Sequence, residues 1–169
     1  MAGSLSAILV LLALASTPCK VTAVLDGDTL RVTVSAADFA ELKAAHPGLK
    51  GTAEKLSVRL AHCDAPEKAQ PYGPEAKIAL EALVIGKSLK LSDVEVDRYG
   101  RAVAVVKVGR SIVNRSMLLQ GHAWWYYHYS SDVSMAKAEA SARAAKRGVW
   151  SELPEAPWMY RQRISGEPQ

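Results

Sequence analysis

Apolar and polar residues alternate along much of this chain, and elsewhere the apolar residues return at helical spacing. Across residues 20–35 the alternation runs on both sides of Asp26-Gly27-Asp28-Thr29. A period of two, interrupted by aspartates and a glycine, predicts a hairpin that turns there. Residues 36–45 predict a short helix with Phe39 and Leu42 on one face, ended by His46-Pro47-Gly48. The stretch on to Lys55 reads as an insertion between strands. Residues 56–63 predict the third strand, in which Arg59 is the one charge, and Asp64-Ala65-Pro66-Glu67 breaks it. Proline fixes its own φ and keeps the residue before it out of the helical region, so the break is a rigid turn. Tyr72-Gly73-Pro74-Glu75 opens a helix whose apolar face holds Leu80, Leu83 and Val84, and Gly86 closes it. Residues 88–97 and 101–108 alternate about Arg98-Tyr99-Gly100, a second hairpin. Residues 113–121 read as a short helix and 124–129 as a dense aromatic run. Ser131 and Asp132 cap a long Ala-rich helix to Arg147, which Gly148 stops and Trp150 docks.

Five strands, with a helix after the third and helices toward the end, predict an α+β fold that is mainly a β barrel. The expected form is a five-stranded Greek-key barrel of the oligonucleotide-binding (OB) kind, with about three packed helices. Barrels of this kind host many activities, so the chemistry must be read from particular residues.

Length and charge change this picture only slightly. A chain of 169 residues holds one domain with a proper core. Its net charge of +4 leans mildly toward anionic partners. The aromatic residues are one Phe against six Tyr and four Trp, types that suit a surface meeting bases as well as ordinary packing. Two cysteines, Cys19 and Cys63, offer no zinc spacing, and a disulfide between them stays open. Residues 5–15 are nearly all apolar but too short to span a bilayer comfortably. They look like a secretory signal peptide cleaved near Ala15, although no Lys or Arg precedes them; a buried strand or an uncleaved anchor is the alternative. The expectation is export, periplasmic or secreted, as a monomer with no stable membrane span in the mature chain. Three regions follow: a signal peptide at 1–15, a domain at 19–150, and a basic, proline-rich tail at 151–169.

Matching chemistry comes from separate stretches. Asp26 and Asp28 lie at the first hairpin; Arg59, Asp64 and Glu67 lie around the third strand; Arg101 follows the second hairpin turn. Each alone is a turn or a surface charge. Together they supply carboxylates that gather hard cations and guanidinium groups that grip phosphate with paired hydrogen bonds. Phosphodiester hydrolysis needs that combination: a cation polarises the phosphoryl group, a carboxylate orients or deprotonates water, and fixed cations offset the charge of the transition state. His62, His122 and His128 lack metal-ligand spacing and read as solvent-facing residues, while Trp124, Trp125 and Tyr126 read as core packing.

At these residues the chain resembles the staphylococcal nuclease (thermonuclease) family. The matching segments, in the family's order, are VLDGDT, VRLAHCDAPE, PYGPEA, DRYGRAVAVV, IVNRSMLLQGHAW and the terminal GVW. The resemblance implies an OB-fold nuclease that cuts DNA and RNA to products ending in 3′-phosphate, with Ca²⁺ as cofactor. It implies that Asp28, Asp64 and the backbone carbonyl of Ala65 hold the cation, and that Asp26 orients a water beside it. Glu67 looks like the general base or a water-positioning group. Arg59 and Arg101 look like the phosphate clamps, and Tyr99 and Tyr127 like nucleotide contacts, with Tyr129 a further candidate. The insertion at 36–55 and a short loop at 68–71 depart from the type member. The first is expected to bulge from the barrel end; the second borders the general base. The tail, with PWMYR, resembles C-terminal extensions of bacterial relatives, which add phosphate contacts or pack on the barrel. The rival reading is a non-catalytic nucleic-acid- or protein-binding module on the same barrel. Such modules typically lose the acidic residues, which here are all present and would repel a polyanion unless a metal screened them.

Overall fold

The computed structural model describes residues 16–152 and 155–166. The expected signal peptide at 1–15 lies outside them. In chain order the elements are β1 (Thr17–Val24), β2 (Thr29–Thr33), α1 (Ala36–Ala45), β3 (Leu56–Leu60), β4 (Cys63–Asp64), α2 (Gly73–Val84), β5 (Ser88–Val96), β6 (Ala102–Val108), β7 (Ser111–Ile112), α3 (Val113–Leu119), β8 (Trp124–Trp125), α4 (Val133–Ala144) and α5 (Pro157–Ser165). Short 3₁₀ turns occupy Tyr127–Tyr129 and Gly148–Ser151.

Five strands close the barrel. β1 runs antiparallel to β2 and β5, β2 to β3, and β5 to β6. The parallel pairing of β3 with β6 completes the ring, with Val58 opposite Ala102 and Leu60 opposite Ala104. Alternation sets the faces. In β3, Leu56, Val58 and Leu60 are buried in the barrel, which turns Arg59 to the other side. The inner layer includes Leu30, Val32, Leu89, Leu91 and Val106. A second apolar cluster under α4 holds Trp124, Ala142, Val149, Trp150 and Ala156, with Tyr72 and Trp158 against it.

The third strand is shorter than its apolar run predicts. Backbone pairing ends at Leu60 because His62 adopts a left-handed conformation, φ 65°. The chain then turns away and pairs again as β4, Cys63 with Trp125 and Asp64 with Trp124. Asn114, fully buried at the start of α3, holds this departure in place. Its Oδ1 accepts from the Val106 amide at 2.8 Å, and its Nδ2 donates to the carbonyls of Ala61 at 2.9 Å and Ala104 at 3.0 Å.

Both cysteines are buried free thiols, so no disulfide joins them. Cys63 donates to the Asn114 carbonyl at 3.2 Å, and burial pushes its thiol well above the ordinary range. Burial likewise pushes Cys19 up to about 12. The insertion docks at the barrel end: Leu42 and Leu49 join the core, and the Lys50 amide donates to the Gly100 carbonyl at 2.8 Å. Within the tail, Pro157–Ser165 form α5, a helix the sequence pattern did not assign.

Candidate active site

The first hairpin is brought to the third strand by a missing side chain. A Cβ on Gly27 would lie 2.7 Å from the Cβ atoms of both Ala65 and Ala76, so only glycine lets the Asp26–Asp28 turn sit against Ala65 and α2. Close packing here fixes Asp28 beside β4. The Asp28 amide donates to Asp26 Oδ1 at 3.0 Å, an Asx turn that shapes the loop. Asp28 Oδ2 accepts from the Ala65 amide at 2.9 Å, and Oδ1 from the Thr29 hydroxyl at 3.0 Å.

Arg59 then ties the two stretches together. Its Nη1 donates to Asp28 Oδ1 at 2.7 Å and its Nη2 to Asp64 Oδ1 at 2.6 Å. Asp28 is 3% exposed and Asp64 is wholly buried. Burial, with Asp26 adding to it, pushes the Asp28 carboxyl upward, while Arg59 and the two hydrogen bonds pull the other way. Burial alone would lower the Arg59 pKa, but the two aspartates hold it above the ordinary guanidinium range, so it stays charged.

A second guanidinium enters from α5. Arg161 Nη2 donates to Asp64 Oδ2 at 2.7 Å, and its Nη1 to Asp64 Oδ1 at 3.1 Å and to Glu67 Oε1 at 2.7 Å. Glu67 sits on a loop held at its other end by Gln70. The Gln70 side chain accepts from the Glu67 amide at 3.1 Å and donates to the Glu155 carbonyl. Gly73 packs so closely on this loop that a Cβ would come 2.1 Å from the Glu67 carbonyl oxygen.

These groups line one groove of about 800 Å³. Across it stands β5, where a bulge between Ser92 and Glu95 re-aims the strand. Asp93, Glu95 and Asp97 line that wall with Arg98, Tyr99 and Arg101. Arg101 Nε donates to Asp97 Oδ2 at 2.7 Å, and its guanidinium lies 5.6 Å from the centre of the exposed Tyr99 ring. Partial burial would raise the Asp97 pKa, but the Arg101 amide and guanidinium and the Tyr99 amide hold it below the ordinary carboxylate range. Among the described residues, six carboxylates line the groove (Asp26, Asp28, Glu67, Asp93, Glu95 and Asp97) against four guanidinium groups (Arg59, Arg98, Arg101 and Arg161). A polyanion entering such a groove needs added positive charge.

The profile of the family described as Staphylococcal nuclease homologue matches residues 57–152. The chain belongs to the staphylococcal nuclease family. It is 34% identical over 146 residues to an uncharacterized endonuclease of Escherichia coli, covering 85% of this chain and 84% of that one. An uncharacterized endonuclease of Haemophilus influenzae is 33% identical over 150 residues, 87% of this chain and 75% of its own. A probable staphylococcal-like nuclease of rice, Oryza sativa subsp. japonica, is 38% identical over 136 residues, 80% of this chain. This chain spans only 41% of that plant relative's length.

Within this staphylococcal nuclease homologue, most residues expected at the site meet in the groove. Asp26, Asp28, Arg59, Ala65, Glu67, Tyr99 and Arg101 line it, and Asp64 lies beneath Arg59 and Arg161. Arg101 is turned to Asp97 rather than to the Asp28–Asp64 pair. Tyr127 lies off the groove, 6.4 Å from the Trp158 ring, whereas Tyr126 and Tyr129 line it. Tyr126, expected in the core, stacks on Trp158 with ring centres 5.9 Å apart. His62, expected to face solvent, lines the groove instead, because its left-handed backbone turns it inward. Two working residues were missed. Asn114 sits inside the segment IVNRSM, yet nothing in the sequence marks a buried amide that joins three backbone segments. Arg161 belongs to the PWMYR stretch, which was expected to contact phosphate or pack on the barrel, not to pair with the site carboxylates.

Proposed function

We propose that the protein is a Ca²⁺-dependent phosphodiesterase that hydrolyses DNA and RNA and leaves 3′-phosphate ends. The single observation that carries this reading is Arg59, which joins two buried carboxylates from distant parts of the chain inside the groove lined by Glu67 and Arg101. Among the described residues no three His, Cys, Asp or Glu side chains group as a metal cage. On the family resemblance, a cation would be held by Asp28, Asp64 and the Ala65 carbonyl, with solvent and substrate oxygens. That donor set is all oxygen and fits calcium. When bound, the cation supplies Lewis acidity toward the phosphoryl group and offsets the acidic groove.

The chain's own groups divide the remaining work. Arg59 and Arg101 face a scissile phosphate from two walls and stabilise the charge that builds on its oxygens. Arg101 is kept ready by Asp97, whose carboxylate fixes the guanidinium plane. Glu67 takes or orients the proton of an attacking water; its side chain is 38% exposed, against 0% for the neighbouring Asp64. Asp26 braces the Asp28 loop and orients nearby water. Tyr99, exposed at the rim, offers a face to a base, and Tyr127 does so from the neighbouring aromatic run. We further propose that residues 1–15 direct export to the periplasm or medium and that the mature protein is a monomer. No described helix is long and apolar enough to cross a membrane.

Digestion of single-stranded DNA and of RNA with Ca²⁺, against excess chelator, tests the proposal when the product ends are analysed. Calcium-dependent cleavage with 3′-phosphate ends is the expected result. Binding that persists in chelator without cleavage would make the protein a non-catalytic module.

A further inference from the structure

Arg161 stands where the reading above wants a metal ion to act. Both oxygens of Asp64 accept from its guanidinium, and Asp64 Oδ1 also accepts from Arg59. The Asp64 side chain has no exposed surface, and with Arg59 and Arg161 both on its oxygens a cation reaches this carboxylate only when a guanidinium moves aside. The same guanidinium holds Glu67 at 2.7 Å. One residue of the tail thus grips a proposed metal ligand and the proposed base together. Burial alone would lower the Arg161 pKa, but Asp64 and Glu67 keep it above the ordinary guanidinium range, so it remains a full positive charge.

The element that carries Arg161 is lightly held. α5 spans nine residues. Its start is anchored by buried Ala156 and Pro157, and Trp158 stacks on Tyr126. Beyond that, Met159 is 52% and Ile164 62% exposed. Arg163 pairs with Glu155 at 2.9 Å, both at the surface. Few apolar contacts secure the outer turn, so moving it costs little compared with opening the barrel.

We infer that Arg161 is an internal counter-cation of the site: it occupies the Asp64 and Glu67 carboxylates until a divalent cation displaces it, and so sets the metal affinity. The inference rests on the calcium reading of the Asp28–Asp64 pair. Asp64 already holds two guanidinium groups, Arg59 and Arg161, so a divalent cation there is repelled by both, and calcium binding includes the cost of releasing Arg161, the one carried by the lightly held tail. Displacement also frees Glu67 from its ion pair. Metal binding and release of the base are then one event.

Calorimetric titration with CaCl₂, without nucleic acid, tests this on the full chain. Four proteins are compared: wild type, Arg161→Gln, Arg161→Lys and Arg163→Gln. The last removes the same charge from the outer face of α5 and controls for net charge. The expected result is calcium affinity raised roughly tenfold or more in Arg161→Gln, with Arg161→Lys between it and wild type, and Arg163→Gln within about twofold of wild type. Calcium binding that is equal or weaker in Arg161→Gln overturns the inference, as does an equal gain in Arg163→Gln. Should Arg161→Gln fail to fold, Arg161→Lys decides: it keeps the charge but loses the planar fork, and affinity no higher than wild type refutes displacement. If none of the four proteins binds calcium, the metal site itself is wrong and this inference goes with it. Binding in wild type without a gain in either Arg161 variant removes only the inference.

Discussion

Replacing Asn114 with alanine probes the joint that holds the site to the barrel. Three hydrogen bonds disappear with the amide. Ala104 keeps a partner, because its carbonyl also accepts from the Ala61 amide at 2.8 Å. The Val106 amide and the Ala61 carbonyl lose the partner that Asn114 gave them in a fully buried place. A buried backbone group left unpaired costs about 1–3 kcal/mol, so two of them cost about 4 kcal/mol together. For a protein of this length each kcal/mol lowers Tm by roughly 2–4 °C, which places the variant about 8–16 °C below wild type. Urea unfolding followed by tryptophan fluorescence measures the free energy, and scanning calorimetry measures Tm. Ser116→Ala, two residues along the same helix, removes a single half-buried bond to the Ile112 carbonyl and should stay within about 0.5 kcal/mol of wild type. A loss below about 1 kcal/mol in Asn114→Ala, with an unchanged denaturant slope, would refute the idea that this amide secures the Ala61–Asp64 turn.

Other outcomes follow from the same geometry. Glu67→Gln should slow hydrolysis far more than it alters calcium affinity; parallel loss of both, read from kinetics and calorimetry, would make Glu67 a ligand instead. Arg101→Ala should lower kcat/KM by the equivalent of about 3 kcal/mol, the scale of losing one transition-state donor, and unchanged turnover would remove it from the chemistry. His122 should make the fold acid-sensitive: burial lowers its pKa, and its Nδ1 is buried without a hydrogen-bond partner among the described residues. Its neutral form is the one the fold accepts, so stability is full above the ordinary histidine value of about 6.5 and falls as pH drops through the lowered folded value. His122→Phe should flatten that loss below about pH 6.5 in thermal melts, and an identical pH profile would exclude His122 as its source.

The barrel was legible because alternation in β1, β2, β3, β5 and β6 follows from one buried face, a constraint written directly into residue type. Asp26, Asp28, Arg59, Asp64, Glu67 and Arg101 were legible as candidates because each lies in its own local motif. What escaped depends on long-range geometry. His62 turns into the groove through a left-handed backbone that no neighbouring glycine announces. Tyr126 and Tyr127 are chemically alike, and only the twist after β8 decides which one lines the groove. Arg161 reaches Asp64 across 97 positions of sequence, from a helix whose composition reads as a solvated tail.

The parallel pairing of β3 with β6 has a kinetic meaning. It joins segments far apart in the chain, and closing so large a loop is slow compared with forming the hairpins on either side. Arg59 lies within that pairing, opposite Val103, and Asp64 follows just beyond it. A partly folded chain can thus own every helix and both hairpins and still lack a working centre. During refolding, catalytic competence should return with the last, slowest phase, well after circular dichroism has recovered its helical amplitude.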